Sequence, residues 1–157
     1  MDDKTTLLRH MLAALAYRAG KTLRDAPPEF AAYRADPTSR TPVEILAHMG
    51  DLFDWALSIA NGAETWHSAK PQPWSAEVAR FFCVLEAFDA RLATGTPIPA
   101  SLERLIQGPV CDALTHVGQI AMLRRMSGAK MPGENYFIAD IAVGRVGLDQ
   151  AAPKKEF

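Results

Sequence analysis

Residues 41–62, TPVEILAHMGDLFDWALSIANG, read as one amphipathic helix with both ends marked. Thr41 suits an N-cap, Pro42 fits the first helical position because its missing N–H has no partner there anyway, and Glu44 at N3 can close a capping box. Asn61-Gly62 supplies the stop, so the helix runs to about Ala60. Ile45, His48, Leu52, Trp55 and Ile59 recur at three- and four-residue spacing on one face. Burial of the apolar members needs no further cause. The imidazole among them needs a hydrogen-bond partner or something to ligate.

The same spacing extends in both directions. Upstream, Leu7, Leu8, Met11, Leu12, Leu15 and Ala19 share a stripe of a helix from about Asp3 to Leu23, stopped by Pro27 and Pro28, with a loop to Arg40. Downstream, residues 63–74 hold Pro71, Pro73, Trp66, Trp74 and His67, a composition that suits a surface loop folded over something. A third helix is expected from about Ser75 to Ala93, burying Val78, Phe81, Phe82, Leu85 and Phe88 and ending at Gly95. A short helical segment near Leu102 to Ile106 precedes a fourth long helix, which starts at Pro109 and runs through Val110, Leu114, Val117, Ile120 and Leu123 to Met126. A last short helix covers Asn135 to Val143. No stretch alternates with period two. The expected fold is all-α: an antiparallel four-helix bundle with short accessory helices, one domain over residues 1–148 and a flexible tail over 149–157.

Composition removes several function classes. The chain has 157 residues, 48% hydrophobic and 22% charged, within the range of a self-folding globular domain. Its 17 basic and 18 acidic residues leave a formal net charge of -1, so no global field draws it to nucleic acid or to an anionic membrane. Cys83 and Cys111 make no disulfide framework and suit a reducing cytoplasm. The N-terminal stretch is interrupted by Arg9, His10 and Arg18 and reads as a helix rather than a signal peptide; no run is long and apolar enough for a membrane span.

The fourth helix repeats the anomaly of the second. Asp112 and His116 are four residues apart and stack on one face, which Gln119, Ile120 and Leu123 extend. A carboxylate on an inward stripe requires a cation, a donor network or a metal. His48, Asp112 and His116 are therefore a candidate metal site, with a self-satisfied polar network as the alternative. Two imidazoles and one carboxylate would leave open coordination positions and suit Zn, Ni or Fe(II). Gln119, one turn beyond His116, would hydrogen-bond a ligand or act as a core amide; Trp55 would wall a pocket or fill core. Asp51 would orient the His48 imidazole or, like Asp54, lie in solvent; His10 reads as a satisfied core histidine, and Cys83 as packed among aromatics. Arg124-Arg125 reads as favouring the helix dipole. Cys111 points away from Asp112. Glu134 and Tyr136 belong to a turn and N-cap, or to a lid.

Two segments together, Thr41-Pro-Val-Glu-Ile-Leu-Ala-His48-Met and Asp112-Ala-Leu-Thr-His116-Val-Gly-Gln-Ile-Ala-Met-Leu-Arg-Arg-Met-Ser-Gly128, resemble the DinB-like family. This is the DNA-damage-inducible helical-bundle family, related to bacillithiol and mycothiol transferases, and not the similarly named polymerase. The likeness spans the first helix to about Gly128. It implies a four-helix bundle with a divalent metal on three histidines, one on the second helix and two at i and i+4 on the last long helix. Here the positions are His48, Asp112 and His116, so Asp112 replaces a histidine with a harder, negatively charged donor. The resemblance further implies a small-molecule substrate or low-molecular-weight thiol, with thiol transfer or hydrolysis as the reaction type, and is compatible with a homodimer.

Overall fold

A computed structural model describes residues 2–157. The protein is all-helical, with four long helices: α1 (Asp3–Leu23), α2 (Pro42–Ala60), α3 (Trp74–Ala93) and, after the short α4 (Leu102–Leu105), α5 (Cys111–Met126). No helix of the described residues is long and apolar enough to cross a membrane. The expected capping box forms at α2, and α1 gains an N-cap that sequence reading had not named. Asp2 accepts from the Thr5 N–H, and Thr41 and Glu44 complete both halves of a capping box at α2. Leu8, Leu12, Leu15, Phe53, Phe81, Leu85, Phe88 and Met49 are fully buried and make the common core.

Contacts along the helices fix their sense. Arg9 of α1 pairs with Asp89 near the end of α3, so these two run in opposite directions. Arg80 of α3 donates to Ala47 O, and Arg91 donates to Ala60 O, so α2 and α3 run the same way. Lys4 meets Glu103 just ahead of α5 and Arg124 meets Thr22, which makes α1 and α5 parallel too. Thus α1 and α5 run one way and α2 and α3 the other, so the antiparallel pairs are α1 with α3 and α2 with α5. Parallel neighbours need a crossover. The 19-residue α2 is ~28 Å long at 1.5 Å per residue, and about 13 extended residues from Asn61 to Pro73 reach ~40 Å, enough to return the chain.

Further differences have local causes. Pro109 does not begin the last helix. A π-helical turn over Ile106–Val110 joins α4 to α5 without a break, the Cys111 N–H reaching back five residues to Ile106 O. Proline lacks an N–H and crowds the carbonyl four residues behind it, and the widened turn accommodates both defects. The expected helix over Asn135 to Val143 is only a 3-10 turn at Tyr136–Ile138. The tail expected to be free from residue 149 pairs with the 133–135 segment. Gly133 and Phe157 exchange both backbone hydrogen bonds, at 2.9 and 3.1 Å, and Lys21 reaches Glu134 and Glu156 at 2.9 and 2.6 Å. Polar composition made this tail look unstructured, but the anchor is a distant lysine on α1.

Candidate metal centre

α2 and α5 run antiparallel, and the helical stretch that α4 and the π turn add ahead of α5 sets Trp55 beside Gly108 and His48 beside Asp112 and His116. His48 Nε2 lies 3.4 Å from Asp112 Oδ2, and His116 Nε2 lies 3.3 Å from Asp112 Oδ1. The three donor atoms all fall within 4.8 Å of one another, and this group could hold a metal ion. A four-coordinate ion with ligands at about 2.0–2.2 Å sets neighbouring donors roughly 3.3–3.5 Å apart, so both carboxylate distances fit. His116 is 8% exposed, whereas 43% of the Asp112 side chain is open. The group therefore has a buried side and a side that a small molecule can reach.

Gln119 sharpens the case for a cation. Its Oε1 lies 2.8 Å from His116 Nδ1 and accepts a hydrogen bond from it. With the proton on Nδ1, a neutral His116 turns the Nε2 lone pair toward the Asp112 carboxylate. Two electron-rich atoms at 3.3 Å repel each other unless a cation lies between them or the ring takes a second proton. A ligating histidine usually donates its other ring N–H to a carboxylate, a backbone carbonyl or water, and the Gln119 side-chain carbonyl takes that place here.

The crossover closes over this group. Trp66 packs edge-on against His48, with ring centroids 5.9 Å apart, and Trp55 in turn packs against Trp66 at 5.8 Å. Sequence reading left Trp55 to wall a pocket or fill core. Trp55 lines a cavity near Gly108 and donates to Glu64 at 3.3 Å, and it is Trp66 of the crossover that packs directly against His48. His67, on the same loop as Trp66, sits 4.0 Å from Asp54 of α2. His10 is exposed on α1, away from the core position expected of it. Cys83 is exposed rather than packed among aromatics, and Cys111 is exposed next to Asp112.

A buried ionic cluster holds the crossover down, and sequence reasoning missed it. Asp51 was expected in solvent but is 3% exposed, and Glu77 is fully buried. Arg80 lies between them, donating to Glu77 at 2.9 Å, to Asp51 and Asp54 at 3.0 Å, and to Ala47 O at 2.6 Å. The second oxygens of Asp51 and Glu77 accept the backbone N–H groups of Ala69 and Gln72 on the loop. Gly50 makes room for it: a Cβ there would stand 2.6 Å from Arg80 Cζ. The available signal was a glycine inside an otherwise strong helix, which costs about 1 kcal/mol against alanine and so calls for a packing reason.

Arg124 also departs from its expected role. Rather than merely facing the dipole of its own helix, it is buried and donates to the carbonyls of Thr22, Arg24 and Asp25, capping the end of α1. Glu134 is buried as well, accepting from the Tyr17 hydroxyl at 2.5 Å and from Lys21. That contact takes it out of any lid role. No family model, no curated protein and no solved structure matches this chain.

Proposed function

We propose that the chain is a divalent-metal-binding protein of the DinB-like four-helix-bundle type, acting in the cytoplasm on a small molecule as a thiol S-transferase or hydrolase. The observation that carries this reading is the convergence of His48, Asp112 and His116 within 4.8 Å, with Gln119 setting the His116 tautomer. Two imidazoles and one carboxylate favour Zn or Ni, and the same donor set accepts Fe(II). When bound, the ion would supply Lewis acidity, lowering the pKa of a water or thiol in an open position. The protein's own contribution is positional. Asp112 bridges the two histidines, Gln119 holds one ring in register, and Trp66 packs edge-on against the other.

Equilibrium dialysis against Zn(II) and Ni(II), followed by thiol-consumption and ester-hydrolysis screens, tests the proposal. One equivalent retained by the wild type and lost by His116→Ala, with any turnover falling in parallel, is the expected result. The rival reading, a non-catalytic ligand-binding or dimerising bundle, draws on the His48–Asp112 contact, which a protonated histidine satisfies without metal. Unchanged melting temperature on adding metal or chelator would favour that rival.

A further inference from the structure

The two histidines of the metal group are held in different ways. His116 gives its Nδ1 proton to Gln119 at 2.8 Å. His48 has no such acceptor: its Nε2 lies 3.4 Å from Asp112, and its Nδ1 has no hydrogen-bond partner among the described residues. Metal-ligating histidines almost always give their other ring N–H to an acceptor, which fixes the orientation of the ring. For His48 that restraint has to come from packing, and its side chain is 24% exposed, so most of the ring is covered.

Aromatic rings do the covering. His48 and Trp55 are seven residues apart on α2, which sets them two turns and about 11 Å apart along one face of the helix. Trp66 of the crossover stands edge-on to both, with ring centroids 5.9 Å from His48 and 5.8 Å from Trp55, so its indole fills the gap between them. Glu64 braces Trp55 in turn by accepting from its indole N–H. His116 also meets the His48 ring edge-on, at 5.0 Å.

The backbone keeps Trp66 in that gap. The Thr65 N–H donates to the Ser58 hydroxyl at 3.0 Å, and the Ala69 N–H donates to Asp51 at 3.1 Å. Ser58 and Asp51 are again seven residues apart on α2, about 11 Å, whereas the four residues from Thr65 to Ala69 reach only about 13–14 Å when fully extended. Between these two pins Trp66, His67 and Ser68 form no backbone hydrogen bond with any described residue, yet the tether has little slack.

We propose that Trp66 is a positioning residue of the metal centre: wedged against Trp55 and tethered through the crossover, it holds the His48 ring so that Nε2 faces Asp112, doing for His48 what Gln119 does for His116. The inference rests on the metal-binding reading. It also makes the Arg80 cluster part of the same device, because Asp51 takes both the Arg80 guanidinium and the Ala69 N–H.

Co(II) titration of the full chain, read by visible absorption and by competition against a chelator of known affinity, tests it. Expected is a Co(II) spectrum that His48→Ala abolishes. Trp66→Ala should bind Co(II) about two- to tenfold more weakly, the factor that loss of one aromatic pair implies, and with an altered spectrum because one donor is no longer fixed. Trp66→Phe keeps an aromatic edge against His48 and should stay within about twofold of the wild type. His67→Ala, on the same tether but paired with Asp54 and not with His48, should change neither affinity nor spectrum. Wild-type affinity and spectrum in Trp66→Ala overturn the positioning role alone. So does an equal loss in Trp66→Phe or in His67→Ala, which would trace the effect to a loosened loop. A Co(II) spectrum that is absent from the wild type, or retained by His48→Ala, overturns the metal reading and this inference with it.

Discussion

Gly50→Ala should destabilise the protein, although alanine is the better helix former. The substitution gains about 1 kcal/mol of intrinsic helix propensity in the middle of α2. Against this, the new Cβ would stand 2.6 Å from Arg80 Cζ and 2.7 Å from one of its terminal nitrogens. Arg80 cannot simply swing aside, because Glu77, Asp51, Asp54 and the Ala47 carbonyl all hold it. Displacing it leaves the fully buried Glu77 without its cation. Breaking a buried pair from one side costs about 3–5 kcal/mol; the Arg80 side chain is 16% exposed, so the lower end applies. The difference is a net loss of about 2 kcal/mol, or roughly 4–8 °C in melting temperature for a domain of this size. Thermal and urea unfolding followed by circular dichroism at pH 7 would measure it. Equal or greater stability in the alanine variant would refute the reasoning that the guanidinium occupies the space over Gly50 and cannot leave it cheaply.

Gln119→Leu removes the acceptor from His116 Nδ1 and should weaken metal binding by roughly 10–100-fold without unfolding the protein; competition against a calibrated chelator reads it, and undiminished affinity would count against the tautomer argument. Burial and the bond to Glu134 push the Tyr17 hydroxyl well above its ordinary value. A group whose folded pKa is raised contributes stability that is complete below the unfolded value of ~10 and is lost as pH rises above it. Tyr17→Phe should therefore flatten the fall in unfolding free energy above pH ~10, and an unchanged slope would mean that the hydroxyl is not coupled to folding. Deleting residues 155–157 removes the pairing with Gly133 and Asn135 and the Glu156–Lys21 contact, and should lower the melting temperature by a few degrees; no change in a thermal scan would return the tail to the status of a loose end.

Where local chemistry decides structure, the sequence was readable. The capping box at Thr41 and Glu44, the limits of α1 and α2, and the stacking of Asp112 and His116 on one side of α5 all follow from interactions within four residues. What escaped depends on partners far along the chain. Asp51 reads as solvated because its cation, Arg80, comes from the next helix, and only the parallel course of α2 and α3 brings them together. Glycine at 50 is a local cost whose compensation lies on that other helix. Arg124 looks like an ordinary end-of-helix cation until α5 is laid beside α1, where it meets unpaired carbonyls. Trp66 illustrates the same limit within the site: a loop carries no periodicity, so nothing in residues 63–74 says which aromatic will face His48. Pairing of His48 with Asp112 and His116 was accessible because His48 and His116 sit beside buried apolar positions of α2 and α5 and Asp112 stands one turn before His116, at the half-open edge of that face.

The central claim is that these three side chains bind one metal ion. Inductively coupled plasma mass spectrometry on untagged protein, run beside His48→Ala, tests it most directly. The account predicts near-stoichiometric Zn, Ni or Fe in the wild type and its loss in the variant. A wild type that stays empty after reconstitution with each of the three ions, or a variant that keeps its metal, would contradict it.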